Sequence, residues 1–382
     1  MNDQSSTINH FKRFYSHVNT ANTVLQAYKG EAPFAHYIRS FFSQHKKFGS
    51  KDRKQITELC YCFYRLGKSY PQLSIEQKIL KGYQLSKKEW PEEWLSFFEQ
   101  YQLPKQTPEN IFSFKDHLSE SIDTAAFEQS HLLQPDLFLR IRPRQHKVVS
   151  EKLQSANINF IITENTVRLP NGSKIDEVLI LNKEVVVQDY SSQRVSELLN
   201  IYKSKISHLK SVISIWDCCA ASGGKSILAK DVLDDIKLTV SDIRSSILAN
   251  LKKRFAEAGI KNYNSFVSDS TIAAPDQKFD LIIADVPCSG SGTWARTPEQ
   301  LLFFQESRIA EYAKLQQNII SNVIKYLKPG GYLLYITCSV FAEENEEQTS
   351  NLTKQGLELI AESVLKGYDQ QADTMFAALM RA

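Results

Sequence analysis

From about residue 205 to the end, the chain repeats one order: an apolar run, a turn of small residues, an amphipathic stretch, another apolar run. Strands are expected at Val212–Asp217, Leu238–Asp242, Ser265–Val267, Phe279–Asp285, Tyr332–Cys338 and Met375–Met380. Helices are expected between most of them, at Ser226–Val232, Ser245–Ala258 and Ser307–Leu327. Strands that alternate with helices pair in parallel, because each return to the same edge of a sheet needs a crossover about as long as a helix. The pattern implies a doubly wound α/β sheet. Ligands of such sheets bind beyond the carboxyl ends of the strands, and the chemically interesting residues below all fall at such ends.

This region is less than half of the 382 residues, so two or three units are expected. Residues from about 8 to 125 read as helical. Apolar side chains recur every three or four positions through Phe34, Ile38, Phe41 and Phe42, and again through Ile56, Leu59, Tyr61, Phe63 and Leu66. Breaks appear at Gly49-Ser50, Tyr70-Pro71, Trp90-Pro91 and Leu103-Pro104. The aromatic side chains Phe41, Phe42, Phe48, Tyr61, Phe63 and Tyr64 read first as a helical core and only second as platforms for stacking bases. From Pro135 the runs shorten to Leu137–Leu139, Ile158–Ile162, Val178–Leu181 and Val185–Val187, with a helix near Val148–Leu153. That is a small α+β unit. The expected division is therefore 1–128 helical, 129–204 α+β, and 205–382 α/β.

Charge separates the first unit from the rest. Residues 1–68 hold eleven basic side chains against four acidic ones, an excess of seven in a chain whose net charge is only +3. A basic module on a mildly acidic body suits a polyanion, since phosphate contacts release counterions; a merely solvated basic face is the alternative. No apolar run approaches the roughly 20 residues that cross a bilayer. The start, Met-Asn-Asp-Gln-Ser-Ser-Thr, lacks the basic and apolar regions of a signal peptide. A cytoplasmic monomer without membrane contact is the expectation. The six cysteines (Cys60, Cys62, Cys218, Cys219, Cys288 and Cys338) are too sparse for a disulfide scaffold and lack zinc-site spacing. No metal is expected.

Three segments hold candidate chemistry. In Trp216-Asp217-Cys218-Cys219-Ala220-Ala221-Ser222-Gly223-Gly224-Lys225-Ser226, a strand runs through a small-residue turn into a helix. Such a turn lets backbone approach a ligand, and the helix start offers free N–H groups. Asp242 ends the next strand, 18 residues past Gly224, where a carboxylate suits the ribose hydroxyls of an adenosine ligand. Gly224-Lys225-Ser226 also matches the end of a P-loop, but position 219, where that motif needs glycine, is cysteine. A purely structural turn is the other alternative. The second segment, Asp280–Gly292, leads through Asp285 to Pro287-Cys288 and a Gly/Ser loop; the third, Leu327–Ser339, stops a helix at Pro329-Gly330-Gly331 and runs a buried strand to Cys338. One cysteine in a strand is ordinarily an inert small hydrophobe. Two at the tips of neighbouring central strands suggest chemistry, while Cys218 and Cys219 read as packing residues of the first turn.

In order and spacing, these three motifs resemble those of RNA (cytosine-5)-methyltransferases of the RsmB/Fmu/Sun type, over roughly residues 130–382. Gln188–Gln193 is similar to that family's lead into its catalytic domain and Met375–Arg381 to its closing strand. Phe48–Arg53 with the following helix resembles, less closely, the NusB-like RNA-binding domain of bacterial members. The resemblance implies a Rossmann-like S-adenosylmethionine methyltransferase domain, preceded by a small RNA-recognition-like α+β subdomain and an N-terminal helical domain. It implies a cofactor loop of Cys219, Ala220, Ala221, Ser222, Gly223, Gly224 and Lys225. It places Asp242 on the ribose, Asp269 beside the adenine and Asp285 near the methionine end and target base. It makes Cys338 the nucleophile and Cys288 the thiol that assists product release. Three positions depart from the family pattern: Ser222 replaces a proline, which is expected to loosen the loop, Thr297 replaces a histidine, and Arg142 stands at an asparagine position.

The implied chemistry is a Cys338 thiolate adding to carbon 6 of a cytosine, which turns carbon 5 into a nucleophile. The base has to be unstacked to reach such a pocket. The implied partner is RNA, with ribosomal RNA of the small subunit ahead of tRNA on account of the NusB-like start. Two rival readings are a catalytically silent RNA-binding assembly factor and a DNA cytosine-5 methyltransferase, in which the Pro-Cys cysteine attacks.

Overall fold

The computed structural model describes residues 3–87, 90, 92–208 and 211–382; Pro91, part of one expected break, lies outside them. The chain divides into two compact units. One comprises Met1–Asp116, Asp123–Gln134 and Trp294–Gln305, and the other His117–Ile122, Pro135–Thr293 and Glu306–Ala382.

The first unit is helical: α1 (Asp3–Ala27), α2 (Phe34–Gln44), α3 (Ser50–Tyr64), α4 (Ile75–Ser86), α5 (Glu92–Gln100) and α6 (Thr124–Ser130). The periodicity is used as expected, with Phe34, Ile38 and Phe42 aligning on one buried face of α2. Helix α4 starts where Ser74 accepts from the Gln77 amide N–H and Gln77 accepts in return from the Ser74 N–H, a capping box that satisfies two otherwise orphaned donors. Phe42 and Tyr64 are core residues, and Phe41, Phe48, Tyr61 and Phe63 pack half-buried against them. Trp294–Gln305, which the sequence places with the α/β domain, belongs here instead. Its Glu299 is 1% exposed and accepts from the Phe34 N–H at 3.1 Å. Arg65, equally buried, donates to the carbonyls of His131, Leu133 and Ala295 at 2.8–3.0 Å. Thr297 lies in this inserted segment.

The second unit holds two sheets. The small one orders its strands β2 (Ile161–Thr163), β3 (Thr166–Leu169), β1 (Leu137–Ile141), β4 (Val185–Val187), all antiparallel, and α7 (His146–Ser155) joins β1 to β2. Sequence reasoning missed β3 and overextended β2. The apolar run Val178–Leu181 forms turns, with one bridge from Leu181 to Val185. This sheet is not separate from the α/β region. Arg140 and Arg142 on and after β1 share Asp231, with contacts of 2.6 Å from each, and Arg142 also donates to the carbonyls of Asn182 and Ala258. The Arg142 departure therefore has a structural use here.

The large sheet has the order β10 (Glu358–Leu365), β11 (Met375–Arg381), β9 (Leu327–Thr337), β8 (Phe279–Asp285), β5 (Ile213–Asp217), β6 (Ile236–Asp242), β7 (Tyr263–Val267). Strands β7, β6, β5, β8 and β9 run parallel, whereas β11 pairs antiparallel with β9 and β10. The doubly wound parallel sheet expected from the sequence is thus mixed at one edge. Strand β10 and helix α12 (Glu346–Lys354) were not anticipated: β10 is an edge strand with exposed glutamates, and such strands lack the apolar run of a central one. Strand β9 begins at Leu327, so Pro329-Gly330-Gly331 lies inside the strand rather than before it. Residues of alternate parity face opposite layers. Ile215, Val240, Ile283 and Leu334 cluster with α8 (Tyr190–Lys205), α9 (Gly224–Leu233) and α10 (Ser245–Glu257). Trp216, Ile282, Leu333 and Tyr335 cluster with α11 (Ser307–Val323) and α12. Burial on both faces explains the continuous apolar runs. The winding reverses between β5 and β8, and that is where a crevice forms at the carboxyl ends.

Candidate active site

The turn after β5 is pinned at both sides: Cys218 N–H donates to the Ile283 carbonyl of β8 at 3.0 Å and Ala220 N–H to the Ser241 carbonyl of β6 at 2.9 Å. Ala221 and Gly223 have left-handed φ of +46° and +82°. A Cβ on Gly223 would come within 2.5 Å of the Phe255 ring, so only glycine lets the loop close onto α10 and present the first N–H groups of α9. Ser222, expected to loosen the loop, is tied by Arg254 to both its carbonyl and its hydroxyl, at 3.0 and 2.7 Å.

Asp242 ends β6. It accepts from the Ala221 N–H at 3.0 Å and from the backbone and guanidinium of Arg244 at 3.0–3.2 Å. Burial pushes its carboxyl up, but the Arg244 hydrogen bonds outweigh that and hold it below the usual range. Asp269 accepts from the N–H and hydroxyl of Thr271, both at 2.8 Å, and the next residue back, Ser268, donates its N–H to the Asp242 carbonyl. The loop, Asp242 and Asp269 are thus on neighbouring strand ends of one edge.

Sequence reasoning quoted Asp217 without giving it a role. Its side chain is fully buried, with Oδ2 accepting from the Ser226 hydroxyl at 2.6 Å and Oδ1 left without a partner. Burial pushes it up to about 7, against the Ser226 bond and with help from the charge of Asp285. An acid raised in the fold from an ordinary value of roughly 4 keeps a proton that the unfolded chain has lost. Stability therefore falls as pH rises from about 4 to about 7, by on the order of 2–4 kcal/mol from this group. Asp217→Asn is expected to remove that slope in urea titrations; a slope unchanged by the substitution would contradict the assignment.

At the other side of the crevice, Cys288 and Cys338 bring their sulfurs to 3.2 Å, and the Cys338 N–H points at the Cys288 sulfur from 3.3 Å. Both thiols are free and part-exposed. The hydrogen bond with Cys338, together with burial of the sulfur, pushes the Cys288 thiol well up. Asp285, at the tip of β8, takes an ion pair from Lys225 Nζ at 3.0 Å. Lys225 therefore links the glycine turn to the thiol side, and every site position expected from the sequence falls on one sheet edge. Gly292 closes the loop behind Cys288: its N–H donates to the Cys338 carbonyl at 3.0 Å, and a Cβ there would sit 1.9 Å from the Thr374 carbonyl. A cavity of about 950 Å³ lined by Arg140, Tyr190, Arg194 and Lys366 holds none of the expected catalytic or cofactor residues. Among the described residues, no helix is long and apolar enough to cross a membrane, and no cluster of three or more His, Cys, Asp or Glu could hold a metal.

The strand order, the glycine turn after β5 and the acid ending β6 define a Rossmann-like α/β domain. Residues 206–376 match the family model of the 16S rRNA methyltransferase RsmB/F. Ribosomal RNA small subunit methyltransferase B of Cronobacter sakazakii is 32% identical over 228 residues, which are 56% of this chain and 50% of that protein. The chain spans about half the length of the curated relatives it matches. The fold also resembles the crystal structure of PH0851 (TM-score 0.69, 17% identity, 95% of this chain and 97% of that one). NSun6 from Pyrococcus horikoshii with SFG is similar as well (TM-score 0.59, 14% identity, covering 72% and 98%).

Proposed function

We propose that the chain transfers a methyl group from S-adenosylmethionine to carbon 5 of a cytosine in RNA, with small-subunit ribosomal RNA as the substrate ahead of tRNA. The observation that carries this reading is the pair of free thiols 3.2 Å apart beside the Lys225–Asp285 ion pair. The residues fit the cofactor: a glycine turn brings backbone N–H groups to the crevice, Asp242 offers acceptors to ribose hydroxyls when the exposed Arg244 guanidinium swings off it, and exposed Ile243 and Ile272 give apolar surface beside Asp242 and Asp269. When bound, the cofactor supplies an electrophilic methyl group. Cys338 passes its proton to solvent and its sulfur bonds to carbon 6, and the electron pair of the 5,6 double bond that breaks makes carbon 5 nucleophilic. Asp285 accepts a hydrogen bond from the base and stabilises charge developing on the ring. After methyl transfer the Cys288 sulfur, 3.2 Å from that of Cys338, takes the carbon 5 proton once its own has passed to solvent, and the carbon–sulfur bond breaks to release the Cys338 thiolate and the product.

Asp242→Ala is expected to weaken S-adenosylmethionine binding by about ten- to a hundredfold, the worth of hydrogen bonds to a charged acceptor. Calorimetry showing unchanged affinity would refute the ribose assignment. The helical unit supplies RNA affinity through exposed Lys46, Lys47, Lys51 and Lys54 on the α2–α3 connection and the first turns of α3. Replacing these four by alanine is expected to flatten the dependence of log affinity on log salt, by roughly 0.7 for each phosphate that is no longer neutralised; an identical slope would make the face merely solvated. Bisulfite sequencing of total RNA from cells with and without the gene tests the substrate, and a single cytosine that loses protection names it.

A further inference from the structure

Behind the two thiols lies a buried carboxylate that the reaction scheme above does not use. Glu344 is fully buried, yet it sits in the acidic run Glu343-Glu344-Asn345-Glu346-Glu347, which by sequence reads as a solvated face. Its Oε2 accepts from the Ser289 N–H and the Gln316 side-chain amide, both at 2.9 Å, and its Oε1 accepts from the Ser339 hydroxyl at 2.7 Å. Ser289 follows Cys288 and Ser339 follows Cys338, so one carboxylate grips the residue next to each thiol. The grip is itself braced: Gln316 also donates to the Pro287 carbonyl at 3.0 Å, and the Tyr335 hydroxyl donates to the Glu344 carbonyl at 2.6 Å.

We propose that Glu344 is the positioning residue that sets the Cys288 thiol against Cys338, by tying the loop of the one to the strand end of the other. The inference rests on the reading of the two cysteines as a catalytic pair. A carboxylate in this place is costly unless its acceptors are filled, and here they are filled only while both loops keep their register. A shift of about 1 Å between reacting groups costs on the order of a hundredfold in rate, so this register is what product release depends on. Glu344→Gln preserves the network: the amide oxygen accepts from Ser289 and Gln316, and the amide nitrogen donates to the Ser339 hydroxyl, which can rotate to accept. Glu344→Ala removes it.

The test reads thiol placement apart from any reaction with RNA. The full chain is treated with diamide, whose azo bond takes up two electrons and both thiol protons while the sulfurs of Cys288 and Cys338 bond, and mass spectrometry follows that disulfide. Wild type and Glu344→Gln are expected to oxidise at similar rates, and Glu344→Ala at least about tenfold more slowly. Should Glu344→Ala not fold, Glu344→Asp, whose side chain is one methylene too short to hold both Ser289 and Ser339, decides with a slowing in the same direction. With RNA and S-adenosylmethionine, Glu344→Ala is further expected to accumulate protein–RNA conjugate relative to methylated product. A residue that serves only stability would lower both together. Equal oxidation rates in all the folded variants would overturn the proposal, whether or not the chain methylates RNA. Absence of methyl transfer by the wild type would instead overturn the catalytic reading while leaving the thiol measurement intact.

Discussion

On the proposed mechanism, Cys288→Ala is expected to accumulate a protein–RNA conjugate that survives denaturing gels, whereas Cys338→Ala is expected to form none and to lose methyl transfer by about three orders of magnitude or more. The two outcomes are opposite because the thiols act at different steps. Without the Cys338 sulfur no bond to carbon 6 forms. Without Cys288, attack and transfer proceed, but the carbon 5 proton has no nearby base and the adduct persists. The double substitution shows no conjugate, since adduct formation comes first. The hydrogen bond with Cys338 and burial both push the Cys288 thiol up. Both variants keep the fold, because each residue is part-exposed at a strand end and loses only a sulfur; circular dichroism checks this. A conjugate in Cys338→Ala and none in Cys288→Ala would assign the attack to Cys288, as in DNA cytosine-5 methyltransferases.

Asp285→Ala is expected to slow the transfer step by about a hundred- to a thousandfold, the usual worth of a preorganised group aimed at developing charge. The carboxylate is held on one side by Lys225 at 3.0 Å, and its side chain remains 30% exposed on the other, so it has a fixed direction and a free face for a base. Alanine removes that acceptor and leaves the nearly buried Lys225 ammonium unpaired. Asp285→Asn, which keeps a carbonyl acceptor, falls between. Single-turnover rates at saturating cofactor separate this effect from any change in cofactor affinity. A loss under about fivefold for Asp285→Ala would remove Asp285 from the chemistry.

The parallel core of the large sheet was legible because both of its faces are buried, which writes each central strand as an unbroken apolar run such as Leu281–Ala284. The hairpin edge was not: β10 carries Glu358 and Glu362 in the positions that face water, and its apolar residues alternate too weakly to stand out. Nor could sequence spacing reveal that Trp294–Gln305 leaves the α/β unit for the helical one, since that depends on long-range partners such as Phe34 for Glu299. The same split holds for the site. The glycine turn, Asp242, Asp285 and the two cysteines announce themselves by lying at strand ends next to small residues. Asp217 and Glu344 do not, because what distinguishes them is complete burial, and burial of a carboxylate is invisible in an acidic run. Arg244 on Asp242 and Arg254 on Ser222 escape for a related reason: local turn geometry and helix packing, rather than any motif, bring them there.

The claim that methyl transfer occurs at carbon 5 through a Cys338 adduct is tested most directly by hydrogen release. Ribosomal RNA carrying tritium at carbon 5 of its cytosines is incubated with the purified chain and methyl-labelled S-adenosylmethionine, and both labels are counted. One tritium released to water for each methyl incorporated is the predicted result, abolished by Cys338→Ala. Methyl incorporation without tritium release would place the methyl on another atom and contradict the account.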